Sequence, residues 1–349
     1  MMYLLTLLYY YLGFFRVAFS LYYIAGFASI FRNRNIKIFE FFTLLFIFSY
    51  ILVKYYQTGS FVASSLYIRL YWGFIFLYFL FKYLKLKNPK FFFITCALVT
   101  IFEYIAIRYD LSLTKTLLNY DGTFDRQVEF LGLIGGVHSF GGNRTVTGSL
   151  MLAAYIFFDN HKEFTRSKIK YLMLFSSIIC FSGTAFILLV LYFLYKNYRN
   201  KYLPLLIIPF SFLVVYLQSI WTRISWKYIE VLYDYKAKQI TDHIPFLIED
   251  YLSLFFGTSK ILSESEEVSS YGILIGDFSF FDFLLRNGLI GLVFIIFFVF
   301  KTINKKNFLP VIFILTSTLH YHVAFSFPGQ VFLAYFLNIK DEEKINFDE

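Results

Sequence analysis

Charge is what this sequence lacks most. Asp, Glu, Lys and Arg make up only 16% of its 349 residues, while 58% are hydrophobic. Soluble chains run at about a quarter charged, so a water-facing globular domain of this size is excluded. Cysteine is scarce as well: Cys96 and Cys180 both fall inside apolar stretches, which reads as packing rather than as a disulfide or a metal site. Five histidines with no HExxH or other paired-ligand spacing argue against a resident metal, and no cofactor is expected. There is no P-loop, no Rossmann glycine fingerprint and no nucleophile elbow; the glycines of 132–142 lack the Lys-Ser/Thr of a nucleotide cradle. No internal repeat is visible, which argues against transporter folds built from two similar halves. The first segment has neither a basic start nor a small-residue cleavage site, so no cleavable signal peptide is expected.

Long apolar runs are present instead. Leu4–Ile30, Ile38–Tyr56, Phe61–Phe81 and Phe91–Ile107 each approach the ~20 residues that cross a bilayer core. The net charge of +9 is explained by where the cations sit. Arg32/Arg34/Lys37, Lys82/Lys85/Lys87/Lys90, Lys162/Arg166/Lys168/Lys170, Lys196/Arg199/Lys201 and Lys301/Lys305/Lys306 hold 17 of the 32 basic residues in five short loops between apolar spans. That is the positive-inside pattern, so the charge reports topology and an anionic leaflet, with no nucleic-acid partner.

With those loops inside, the segments around 57–60, 108–145, 182–184, 220–285 and 326–330 lie outside. Tyr171–Tyr195 then crosses twice as two helices of about 11 residues, turning at Ser182–Thr184. A single N-terminal span gives about eleven crossings; a hairpin broken near Arg16 gives twelve. The expected fold is therefore all-α, a polytopic transmembrane helix bundle with two large outer-face loops. Residues 1–107 form N-terminal spans, 108–145 the first loop, 146–219 central spans, 220–285 the larger loop, 286–340 C-terminal spans and 341–349 a cytoplasmic tail. The larger loop carries five basic against ten acidic residues. Its start, Trp221–Lys238, has Ile224, Tyr228, Val231/Leu232 and Tyr235 at helical spacing, an amphipathic helix suited to the membrane surface.

Three segments carry a family resemblance. Ser139-Phe-Gly-Gly-Asn-Arg-Thr-Val-Thr-Gly148 runs straight into a span. Thr222-Arg-Ile-Ser-Trp-Lys-Tyr228 is followed downstream by Leu254-Phe-Phe-Gly257. Asp277-Phe-Ser-Phe-Phe-Asp-Phe-Leu-Leu-Arg-Asn-Gly-Leu-Ile-Gly291 closes the large loop and opens the next span. In order and placement these resemble the O-antigen ligase/polymerase superfamily over residues 130–300. Two departures stand out. Ser182-Gly183-Thr184 lacks the Arg found in many members at that turn, and Asp277 stands where ligases carry His. The acidic residue looks more like the Wzy-type polymerases of O-antigen or capsular polysaccharide.

The resemblance implies a metal-independent glycosyltransferase of the bacterial inner membrane. Its substrate is an oligosaccharide linked to a polyprenyl diphosphate, it works among membrane lipids, and a chain-length regulator protein is an expected partner. A ligase-type transferase and a lipid-linked oligosaccharide flippase are the alternatives. Such a reaction needs cations for the diphosphate and a base for the acceptor hydroxyl. Arg144 and Arg223 are the expected diphosphate contacts, each also readable as an interfacial anchor. Asp277 is the expected base, or else a helix cap. His138, Asn143, Trp226, Asp282 and Arg286 are the expected substrate-binding set; Arg286 could equally anchor the outer leaflet. Arg16, Arg69 and Glu103 fall within apolar spans, where ionisable groups face partners or cavities, and an Arg69–Glu103 pair is one option. His320 and His322, two apart on an expected helix, point to different faces.

Overall fold

The computed structural model describes residues 16–32, 37–84, 89–109, 128–130, 133–135, 137–161, 167–198, 226–262, 268–269 and 279–339. The chain is an all-α bundle. Its helices are α1 (Arg16–Arg32), α2 (Ile38–Thr58), α3 (Phe61–Tyr67), α4 (Gly73–Leu84), α5 (Pro89–Arg108), α6 (Arg144–Asn160), α7 (Ile169–Ile179) and α8 (Gly183–Asn197). There follow α9 (Trp226–Leu247), α10 (Tyr251–Phe256), α11 (Ser279–Thr302), α12 (Phe308–Thr318) and α13 (Phe327–Leu337). Two antiparallel hairpins of two- and three-residue strands, β1 (Val128–Phe130) with β2 (Leu133–Gly135) and β3 (Ile261–Leu262) with β4 (Val268–Ser269), are the extended structure among the described residues.

Among the described residues four helical segments are long and apolar enough to cross a membrane: Ile38–Thr58, Phe61–Tyr83, Lys90–Arg108 and Ser279–Thr302. Shorter apolar helices come in two pairs. α7 and α8 meet at a turn through Cys180–Ser182, and Ser182 Oγ caps α8 by accepting the Ala185 N–H at 3.2 Å. α12 and α13 meet at 319–326. The expected outer segment around 326–330 lies several residues too late. In the structure Ser326 Oγ accepts the Gly329 N–H at 3.1 Å and Pro328 sits in the first turn of α13. Proline is favoured there because that N–H has no helical partner anyway. α12 stops at Thr318, so His320 and His322 lie in the turn and not on a helix.

α6 is the hub, buried from Val146 to Asp159. Small residues let its neighbours in: Ser177 Oγ donates to the Gly148 carbonyl at 2.8 Å. Aromatic rings fill the space around it, with Phe93 between Phe157, Phe332 and Phe336. Between α3 and α4 the backbone makes a π-helical turn, Ile68–Trp72. Gln330 of α13 closes it: Nε2 donates to the carbonyls of Arg69 and Leu70, both at 2.8 Å, and Oε1 accepts the Tyr23 hydroxyl at 2.9 Å. A helix carbonyl released in an apolar interior must find another donor, and this amide supplies it.

The helix ends beside the basic loops gather at one end of the bundle. Glu40 joins the start of α2 to the end of α4, accepting from Lys82 at 2.7 Å and Tyr83 at 2.5 Å. Asp159 joins α6, α7 and α8 by accepting from Lys170 at 2.7 Å, Tyr192 at 2.7 Å and Lys196. Asn307 Nδ2 donates to the Phe336 carbonyl at 3.0 Å, tying α12 to α13.

Candidate functional site at the end opposite the basic loops

α11 is two helical stretches joined at Gly288, whose φ of 62° and ψ of −166° are not helical. Gly257, at φ 78°, lies against the break: a Cβ on Gly257 would sit 2.2 Å from the Arg286 carbonyl carbon, and one on Gly288 would sit 2.5 Å from the Gly257 nitrogen. Two glycines are needed because backbone meets backbone here, in conformations other residues resist. The Leu285 carbonyl freed by the break accepts the Thr258 N–H at 2.8 Å. Thus the 257–259 strap replaces hydrogen bonds that the helix gives up. Leu254–Gly257 and the part of the third resemblance segment from Ser279 to Gly291 meet at this point.

A buried polar cluster sits under the strap. Lys54, fully buried on α2, donates to Gln57 Oε1 at 2.9 Å and to the Gly257 carbonyl at 3.1 Å. Gln57 Nε2 donates to the same carbonyl at 2.7 Å, and Ser259 Oγ donates to Gln57 Oε1 at 3.3 Å. Arg286, also fully buried, donates through Nη1 to the Thr258 carbonyl at 3.3 Å, and its Nε lies 3.7 Å from Asp282 Oδ1. Asp282 accepts the Tyr71 hydroxyl through Oδ2. Lys54 and Arg286 both stand over the Tyr67 ring, 5.6 and 5.7 Å from its centre. Among the described residues no carboxylate lies within 4.0 Å of Lys54 Nζ.

Beside this cluster runs an accessible rim. Phe325 stacks on Phe283 at 5.2 Å and edges onto Tyr71 at 5.3 Å, which puts the 319–326 turn next to Asp282. Asn143 then links that turn to α6: Oδ1 caps the helix by accepting the Thr145 N–H at 2.7 Å, and Nδ2 donates to the Tyr321 hydroxyl at 3.0 Å. Lys236 of α9 reaches the same turn, its Nζ 3.5 Å from His320 Nδ1. His138 and Arg144 flank Asn143, both half-buried. The loop between them is held from below, where Glu103 Oε1 accepts the backbone N–H groups of His138 and Ser139 at 3.2 and 3.0 Å. Glu103 is therefore taken up in shaping this loop.

Of the expected site residues, Arg144, His138 and Asn143 come together on the rim, and Asp282 with Arg286 in the buried cluster. Arg286 was expected near the interface and the large loop was expected to run to 285. α11 instead opens at Ser279, which carries Asp282 and Arg286 inside as an i, i+4 pair. Trp226 opens α9. Arg223 and Asp277 lie outside the described residues. Lys54, Gln57, Tyr71, Lys236, His320 and Tyr321 were not singled out for the site. Lys54 did carry a signal, being a lone ionisable group inside the apolar run Ile38–Tyr56. Among the described residues no group of three or more His, Cys, Asp or Glu side chains gathers as a metal site. Comparison of the chain with protein-family models, curated proteins and solved structures gives no match.

Proposed function

We propose that this protein joins polyprenyl-diphosphate-linked oligosaccharide repeat units into a polysaccharide at the outer face of a bacterial inner membrane. The observation that carries the reading is cationic chemistry at the end away from the basic loops. Lys54 and Arg286 lie buried there, Arg286 with Asp282 as its near carboxylate, and Arg144, Lys236, His138 and His320 lie along the adjoining rim. Positive side chains are depleted from the outer ends of spans, so their concentration there calls for an anionic ligand. A lipid diphosphate is such a ligand, and it arrives in the membrane plane.

In this reading the bond between the donor sugar and its diphosphate breaks as the anomeric carbon bonds to the acceptor hydroxyl. The diphosphate departs with the bonding pair and the hydroxyl proton passes to a carboxylate. Arg144, with Arg223 of the large loop, neutralises the leaving group through planar donors. Asp277 takes the proton. Asp282, held by Tyr71 and Arg286, is a positioning residue that fixes the strap-bearing end of α11. A chain-length regulator is the partner that this activity calls for.

The test is inactivation of the gene in its own cell. Surface glycan should then carry single repeat units, since synthesis and flipping precede polymerisation. Absence of all surface glycan, with repeat units accumulating on the inner leaflet, would assign the chain to flipping instead.

A further inference from the structure

α9 and α10 form an arm attached to the bundle at points along its length. Lys236 meets His320 at the α12–α13 turn, Leu247 packs with Leu284 and Leu285 of α11, and the Gly257 carbonyl is held by Lys54 and Gln57 at the end of α2. The 22 residues of α9 span about 33 Å at 1.5 Å each. Between Lys236 and Leu247, about 16 Å of helix, α9 lies along the end of the bundle.

The helical period assigns each side of α9 a different environment. Gln239, His243 and Leu247 share the side turned to the bundle, and the last two are buried. Asp234, Lys238 and Thr241 share the opposite side and are exposed, as suits water. One flank between them, away from the Val231 and Tyr235 that the sequence spacing selected, carries Tyr233, Ala237 and Ile244, continued by Ile248 just past the helix and by Tyr251 and Phe255 of α10. Tyr233, Ile248 and Tyr251 are 72%, 62% and 83% exposed. A row of bare aromatic and β-branched side chains of this kind marks an interaction surface.

Its occupant follows from what it adjoins. Phe255 lies on the α11 break, since a Cβ on Gly288 would meet the Phe255 carbonyl carbon at 2.6 Å. From there the exposed apolar surface continues along α11 through Leu289 and Val293, and α11 is long and apolar enough to cross a membrane. On the α2 side, Tyr55 and Tyr56 adjoin Lys54 and are likewise exposed. The flank is thus the upper edge of the surface that the bundle turns to lipid.

We infer that the apolar flank of the α9–α10 arm is seated in the bilayer at the boundary between headgroups and acyl chains, so that membrane lipid is the arm's second anchor beside the bundle. Tyrosine suits that depth, with its ring in hydrocarbon and its hydroxyl among headgroups. The polar side of α9 stays in water. Because the arm ends in the Gly257 strap, lipid contact and the polar cluster under the strap are mechanically joined. The inference stands whether or not the chain is a polymerase.

Single cysteines at Ile248, Tyr251 and Thr241, labelled with an environment-sensitive fluorophore, test it in the full-length protein in phosphatidylcholine–phosphatidylglycerol vesicles. Wild type, whose Cys96 and Cys180 are buried, is the labelling blank. Lipids carrying a doxyl group near the headgroup should quench the probes at 248 and 251 at least about twofold more than the probe at 241, as expected for an interfacial helix. Aqueous iodide should show the reverse order. Iodide quenching at 248 and 251 equal to that at 241 would overturn the inference, because the flank would then lie in water. Resistance of 248 and 251 to both quenchers would overturn it too, because protein would then cover the flank.

Discussion

At the basic end, Asp159 accepts from Lys170, Lys196 and Tyr192, and Glu40 accepts from Lys82 and Tyr83, so each buried carboxylate is enclosed by donors. At the other end, Lys54 donates to an amide oxygen and a backbone carbonyl, and Arg286 reaches a carbonyl with its carboxylate 3.7 Å away. Lysine serves as an internal counter-ion in the first case. In the second, Lys54 is held in place by neutral oxygens, which orient a cation without cancelling it, while Arg286 keeps Asp282 beside it. A buried charge is tolerated when it is fully paired or when it has a task. The first alternative holds at the basic end; the second is what the proposed function would supply at the other.

The comparison breaks outright if the two ends do not face opposite sides of the membrane. Cysteines at Thr123 and Ser263 should react with membrane-impermeant thiol reagents applied outside intact cells, whereas cysteines at Asn88 and Asn304 should stay silent until the membrane is opened. A reversed pattern would put the cationic end in the cytoplasm and remove the diphosphate argument.

Next in size is the backbone contact at the strap. Gly288→Val places a β-branched residue at positive φ against the Phe255 carbonyl, where a Cβ would already be 2.6 Å away. The strain and clash should exceed about 3 kcal/mol. Monodisperse protein should be lost on size-exclusion chromatography in detergent.

Asp159→Asn sharpens the structural side. It leaves Lys170 and Lys196 with a neutral partner and should cost about 3 kcal/mol, as breaking buried pairs does. A lowered thermal midpoint is expected, with glycan chain length per folded molecule unchanged.

The functional side predicts the opposite split. Arg144→Ala and Lys54→Met should lower polymer yield about 10- to 100-fold at near-normal protein levels, the scale of one lost charge-assisted contact. Lys82→Met, at the enclosed end, should shift the melting temperature and leave yield per molecule intact. Equal yields in all three variants would dissolve the distinction between the ends. The smallest effect belongs to Lys260→Ala. Its ion pair with Glu249 at 2.6 Å is about half exposed on both sides, so the loss should stay within about 0.5 kcal/mol in the same melting assay.

Much of the bundle is legible in the sequence because apolar run length and basic loops are local signals. The short α7–α8 pair appears where topology required two crossings in one run, with its turn two residues earlier than expected. What escapes is set by distant backbone. Asn287-Gly288 is a breaker pair inside an apolar run, but that the helix resumes beyond it depends on Gly257, supplied by another segment. Arg286 reads as an interfacial residue for the same reason: its carbonyl partner, Thr258, is 28 positions away. Lys54 and Gln57 are joined to Gly257 across two hundred residues of chain. His320 and His322 were misplaced because Ser317 and Thr318 do not signal the end of α12. The turn is fixed by contacts across it, with Thr318 Oγ1 accepting the Ala324 N–H at 2.9 Å and Ser326 capping α13.

The π-helical turn at Ile68–Trp72 acts as a phase shifter. Each residue of an α-helix advances the side chains by about 100°, so one surplus residue in a turn re-aims everything beyond it. Tyr67 and Tyr71 can thereby address Arg286 and Asp282, while Phe74 to Phe81 turn to the packed interior on their own rotational setting. Gln330 is the key that holds the two settings together, gripping both displaced carbonyls at once. A chain one residue shorter here would have the same hydropathy profile and would still thread the bilayer. Its two half-helices would simply be dialled to the wrong angle.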